Sequence, residues 1–267
     1  MSVNIRFDIS SRYVIVVVIV IEKRDSTSPN WIREKVTFDA AYGKERMVAL
    51  LFLPRKAVAP WQTVVFFPGT YSLWRSASDS ISDLPEFEFI VKSGRALVYP
   101  VYYGTYERNA IGMNFEMHWP SMKYRNAYTE LLIRWTRDFS RTIDYIETRT
   151  EFDTSKLAFY GFSWGGRLGA VIPALDGRLK VSVLYLGGFA ADAFPRPEAD
   201  EFNHAPRIHI PTLMLNGRYD RIFPCNISVL PMYDLLGMTC RPQTDLIRIL
   251  KLGLEYRVRR VGEMVEA

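Results

Sequence analysis

The chain has 267 residues, enough for one large α/β domain or two small ones, and 48% hydrophobic content supplies a sizeable core. A net charge of +5, from 34 basic and 29 acidic residues scattered along most of the chain, leaves no basic face of the kind that binds nucleic acid. The two cysteines, Cys225 and Cys240, have neither zinc nor redox spacing and read as free thiols in a reducing, cytoplasmic compartment.

Residues 13–21 form an apolar run of nine, too short to span a bilayer. Arg6 and Arg12 precede it, as in a signal-peptide core, but no small-residue cleavage site follows. The favoured reading is a β-branched edge strand or a sticky N-terminal extension covering residues 1–30. Residues 26–30 are a polar linker, and the globular domain is expected to run from 31 to 237.

Residues 35–38 and 47–53 read as an antiparallel pair joined by a turn at 41–45. Residues 63–67 are a buried strand ending in Pro68-Gly69-Thr70. A short helix is expected over 87–92 and a strand over 95–101. Residues 102–126 are long, aromatic and irregular, as lids and binding walls are. From 127 to 147, Leu132, Trp135, Phe139, Ile143 and Ile146 recur at helical spacing. Further strands are expected at 156–160, 180–186 and 211–215, with a helix over 165–174. Strands alternating with helices imply a mostly parallel sheet covered on both faces, with its site at the carboxyl ends of the strands.

The most specific motif is Gly161-Phe162-Ser163-Trp164-Gly165, which lies between a strand and a helix. In that context G-x-S-x-G is a nucleophile elbow, with the serine on a strained turn and its Oγ exposed. The Trp164 N–H, at the helix start, is a natural oxyanion donor. The loop after the 63–67 strand offers a second donor, Thr70 or else Tyr71. Asp220 closes the 211–215 strand region and suits the carboxylate of a triad. The plainer reading of Asp220 is a turn residue after a glycine.

Phe67-Pro68-Gly69-Thr70, the 160–166 elbow and residues 211–220 resemble the α/β-hydrolase fold. The chain is similar in particular to the dienelactone-hydrolase, acetyl-xylan-esterase and prolyl-oligopeptidase-like branches, over roughly 31–237. The resemblance implies an ester-cleaving enzyme without metal or organic cofactor, with Ser163 as nucleophile, Asp220 as acid, and Trp164 and Thr70 at the oxyanion hole. Its substrate would be a small ester; no nucleic-acid partner and no stable membrane insertion are expected.

The family pattern continues with another strand and a histidine loop, and here the chain departs, because no histidine follows Asp220. The C-terminal strand and histidine loop are therefore expected to be atypical or missing, and residues 238–267 to be an atypical tail. A basic amphipathic helix over 246–261 is one reading of that tail; a packed edge helix or a disordered end is the favoured one. The remaining histidines are His118, in the lid-like segment, His204, before the acid strand, and His209, at that strand's far end. His118 and His204 are the two surrogate bases to test. Two alternative functions follow: a peptidase-like hydrolase, which depends more heavily on the missing imidazole, and a catalytically impaired hydrolase-fold protein.

Overall fold

The computed structural model describes residues 19–81, 84–109, 113, 116–237 and, as backbone, 247–250. The described residues open with three antiparallel strands, β1 (Val20–Asp25), β2 (Trp31–Asp39) and β3 (Arg46–Pro54). The β2–β3 turn closes through the Ala40 N–H on the Glu45 carbonyl at 3.0 Å, with Gly43 at φ 60°. Next come β4 (Trp61–Phe67), α1 (Leu84–Lys92), β5 (Ala96–Val101), the long α2 (Arg125–Glu147) and β6 (Phe152–Phe162). The second half holds α3 (Trp164–Leu168), α4 (Ile172–Leu175), β7 (Leu179–Tyr185), α5 (Glu201–His204), β8 (Thr212–Gly217), α6 (Leu230–Leu235) and β9 (Ile247–Leu250).

The nine strands among the described residues form one sheet in the order β1-β2-β3-β5-β4-β6-β7-β8-β9, parallel from β5 onward. The order reverses around β4, which pairs with β5 on one side and β6 on the other. That switch sets Phe67, at the end of β4, opposite Gly161 in β6, and opens the sheet's carboxyl edge there.

Successive side chains along a strand point to opposite faces, so each buried strand feeds two cores. In β4, Val65 and Phe67 join the cluster under α2, and Val64 and Phe66 join the one under α1. The buried stripe of α2 includes Leu132, Trp135, Phe139, Ile143 and Ile146, as its spacing predicts. Asp138 sits in the same stripe, fully buried. It accepts hydrogen bonds from the Tyr42 hydroxyl (2.8 Å), the Tyr103 N–H (2.8 Å) and Arg108 Nη1 (2.6 Å). These bonds fasten the segment after β5 to α2.

Three expectations change. The helix expected over 165–174 is two short helices, ending at Leu168 and restarting at Ile172. Pro173 lacks an N–H and its ring would meet the carbonyl of residue 169 in a continuous helix. The sheet begins before Trp31, since β1 pairs with β2 at its edge; residues 13–18 of the apolar run lie outside the described residues. Of the two expectations for the C-terminal strand, atypical or missing, the second is overturned by β9, a four-residue strand parallel to β8, which also replaces the helical reading at 247–250. The rest of the tail, with Cys240, lies outside the described residues. Among the described residues, no helix is long and apolar enough to cross a membrane.

Removing one partner of a buried ion pair strands the other, at about 3–5 kcal/mol. Asp138→Ala is expected to lower the unfolding free energy by about that amount in urea titration. A loss below about 1 kcal/mol, the range of an exposed pair, would show that Arg108 finds water instead.

Candidate active site

The turn from β6 into α3 is made at Ser163, whose backbone has φ 53° and ψ −106°. A non-glycine residue at positive φ is held there by its surroundings. The Ser163 N–H donates to the Tyr185 carbonyl of β7 at 2.8 Å, and the Gly165 N–H donates to the Pro68 carbonyl after β4 at 3.0 Å. A Cβ on Gly161 would lie 2.2 Å from the Gly165 oxygen, and one on Gly165 would lie 2.1 Å from the Phe67 oxygen. The motif glycines therefore let the ends of β4 and β6 and the first turn of α3 come into backbone contact.

Trp164 opens α3, so its N–H precedes the helix's own bonding. Thr70 and Tyr71 open a 3-10 turn, Thr70–Leu73, immediately beyond β4. The bonding of that turn begins with the Ser72 N–H on the Gly69 carbonyl at 3.2 Å, reinforced by Ser72 Oγ at 2.8 Å. Both segments suggested by the sequence as oxyanion donors thus lie at one edge, fastened to each other through Pro68 and Gly165.

Asp220 lies beyond β8 and is half-buried. Its Oδ1 accepts from the N–H groups of Ile222 (2.8 Å) and Phe223 (3.0 Å), so it does cap its own turn. Oδ2 makes no hydrogen bond among the described residues.

None of the three histidines hydrogen bonds to Ser163 or Asp220 among the described residues. His118 is buried, with its ring edge-on to Trp164 (5.7 Å between centroids) and to Trp119 (6.0 Å). His204 places Nε2 3.0 Å from the Glu198 carbonyl. His209 places Nδ1 2.6 Å from the Gly237 carbonyl, before β8 and a strand's length from Asp220. The His118 ring packs edge-on to two tryptophans, and His204 bonds in the turn before α5.

Sequence reasoning missed Arg167, one turn beyond Ser163 and fully buried. Its Nε lies 3.0 Å from Glu201 Oε1, and its Nη2 donates to the His118 carbonyl (2.8 Å) and the Tyr128 hydroxyl (3.1 Å). Burial pushes the Glu201 carboxyl up from its ordinary range, against the pull of Arg167, and pushes the Tyr128 hydroxyl up as well. The available signal was a lone cation inside the apolar, small-residue run 165–174.

A cleft of about 570 Å³ opens between residues 116–124, the segment after β7 and the segment after β8; Trp119, Tyr124, Asp192, Arg221 and Ile222 line it. Of the aromatics in the lid-like stretch, Tyr102 and Tyr106 are core residues, and Tyr103 packs under Arg134 and against Tyr42. Phe115 lies outside the described residues. No cluster of His, Cys, Asp or Glu suited to a metal occurs among the described residues.

The model of the dienelactone hydrolase family matches residues 47–230, more than half of the chain. The chain belongs to the dienelactone hydrolase family. The matched span contains β3 to the start of α6, with the elbow, the Thr70 turn and Asp220, and leaves out β9. Among solved structures, an acetyl xylan esterase from Paenibacillus sp. R4 is 17% identical with a TM-score of 0.67, covering 94% of this chain and 88% of that one. A cold-adapted esterase from an Arctic intertidal metagenomic library is 14% identical with a TM-score of 0.67, covering 92% and 97%. A putative dienelactone hydrolase from Klebsiella pneumoniae is 17% identical with a TM-score of 0.58, covering 86% and 95%. At such identities the likeness is one of fold, the α/β-hydrolase fold. No curated protein matches significantly.

In this member of the family the elbow glycines are a steric requirement. Gly165→Ala is expected to destabilise by about 3 kcal/mol or more, because the backbone it meets cannot step aside. Gly177→Ala, with nothing within 4 Å of the added carbon, is the control and should change stability by no more than about 1 kcal/mol. Thermal melts of the two variants compare them, and equal melting temperatures would contradict the close-approach account.

Proposed function

We propose that this dienelactone hydrolase family member is a serine esterase acting on small carboxylic esters through an acyl-enzyme on Ser163. The observation that carries the reading is the Ser163 backbone at φ 53°, held between β4 and β7 at the start of α3. Such a turn presents Oγ clear of the sheet and beside the N–H groups of a helix start.

In the proposed reaction, Ser163 Oγ attacks the ester carbonyl and loses its proton as the new C–O bond forms. The carbonyl oxygen takes up the negative charge, and the Trp164 and Thr70 N–H groups donate to it. Collapse of the adduct expels the alcohol, which takes up a proton. Water then attacks the acyl-serine, releasing the acid and restoring the hydroxyl. Asp220 is the carboxylate of this site, with Oδ2 left over for an N–H donor.

In this proposal, which takes no imidazole from His118 or His204, the Ser163 proton passes to water or hydroxide. A hydroxyl without a base is a weak nucleophile, so turnover is slow. In serine proteases that lose a triad member, the remaining oxyanion hole and binding still give about 10³–10⁴-fold over water. The missing imidazole also favours a second reading, a catalytically silent ligand-binding member of the fold.

Hydrolysis of p-nitrophenyl acetate by the wild type and Ser163→Ala separates the two. The esterase reading expects wild-type turnover that the variant loses, and equal rates for both would leave the silent reading. Without a histidine base, the wild-type rate should climb through pH 9 instead of levelling above about 6.5, the ordinary histidine pKa. Added imidazole should accelerate the wild type, and Asp220→Asn should lose that acceleration. A plateau near neutrality with no imidazole effect would mean that a base is already in place.

A further inference from the structure

The cleft beside Asp220 has a predominantly apolar surface, and most of its charges are already engaged. Glu116 and Lys123 pair with each other at 3.6 Å, and Lys123 lies over the Tyr124 ring at 4.6 Å. Asp192 accepts from Trp119 Nε1 at 3.0 Å. Arg221 is exposed on the acid loop. What the cleft offers a ligand is therefore chiefly aromatic surface, from Trp119 and Tyr124.

Trp119 is held on two sides. Asp192 fixes its N–H edge, and the Arg167 guanidinium carbon lies 4.8 Å from the ring centroid. Arg167 is itself immobilised by Glu201 and by the carbonyl of His118, the residue preceding Trp119. One buried cation thus joins the helix that carries the nucleophile to the wall of the cleft. A buried Arg–Glu pair contributes little net stability compared with an apolar replacement, so its geometry, not its energy, is the property to explain.

We propose that Trp119 is the specificity-determining wall for esters bearing an aromatic ring in the acyl or alkoxy part, and that Arg167 is the positioning residue that sets this wall relative to Ser163. The inference rests on the esterase reading for its catalytic meaning, but ring binding by the cleft is independent of turnover. Offset or edge-to-face aromatic contacts contribute about 0.5–1.5 kcal/mol beyond area burial, or about two- to tenfold in affinity.

The test compares kcat/KM for 2-naphthyl acetate with that for ethyl acetate, and measures 2-naphthol binding to Ser163→Ala by calorimetry. Trp119→Leu should lower the naphthyl-to-ethyl ratio and weaken naphthol binding, each by about two- to tenfold. Arg167→Met combined with Glu201→Gln leaves no orphan charge and should lower the same ratio through KM for the naphthyl ester, with kcat kept within about twofold. A merely structural role would depress both esters alike. If the double variant does not fold, Asp192→Ala, which removes the acceptor of the same ring's N–H at an exposed site, must show the same selectivity loss. An unchanged ratio and unchanged naphthol affinity in Trp119→Leu overturn the proposal, and an unchanged ratio in the folded Arg167 variant overturns the positioning role. Naphthol binding that depends on Trp119 in a protein with no Ser163-dependent turnover would leave the wall standing and remove the esterase reading.

Discussion

The site depends on backbone meeting backbone where β4, β6 and β7 end. Gly165 and Gly161 allow the first turn of α3 to touch the ends of β4 and β6, and the Ser163 N–H reaches across to β7. Gly166 and Gly187 continue the contact, since a Cβ on Gly187 would lie 2.3 Å from the Gly166 carbonyl carbon. The strained serine is the result of this junction, and it is over-determined by hydrogen bonds on both sides. The Thr70 turn hangs from the same junction through Pro68. The proposed nucleophile and oxyanion donors thus owe their positions to main chain, which makes their geometry independent of whether a base is present.

That independence gives the histidine pattern its meaning. The proposed acylation needs two kinds of part. Donors aimed at the developing oxyanion come from backbone, and proton acceptance comes from a side chain. In the proposed site the first kind sits at the elbow, and no histidine follows Asp220 in the sequence. His118 is buried against Trp164, and the other two histidines bond to carbonyls elsewhere. The proposed site is accordingly strong in electrostatics and poor in proton transfer, which suits activated esters better than amides.

Much of this architecture was legible because period and context agree. The strand at 63–67 is a short unbroken apolar run, as a strand buried on both faces is, the helix at 127–147 repeats its apolar residues at about 3.6, and the elbow motif sits between a strand and a helix of these kinds. What was illegible is equally specific. The break between α3 and α4 follows from Pro173 and from the approach of Gly169 to Leu184, a contact between distant residues. β9 reads as helix because basic residues interrupt its apolar ones, and pairing with β8 overrides that local preference. Tyr102, Tyr106, Trp119 and Tyr124 look alike in sequence, yet only the last two line the cleft, since burial is decided by the fold. Arg167 was hidden because a cation inside an apolar run has no meaning until Glu201, 34 positions later, arrives beside it.

The central claim is that the Ser163 hydroxyl is competent to accept an acyl or acyl-like group. Peptide mass spectrometry after incubation with a fluorophosphonate tests it most directly, because the adduct reports the hydroxyl itself without requiring turnover. The account predicts a covalent phosphonyl group on the peptide containing Ser163, absent when the protein is denatured before exposure. Folded protein that stays unmodified at Ser163 after prolonged incubation would contradict it.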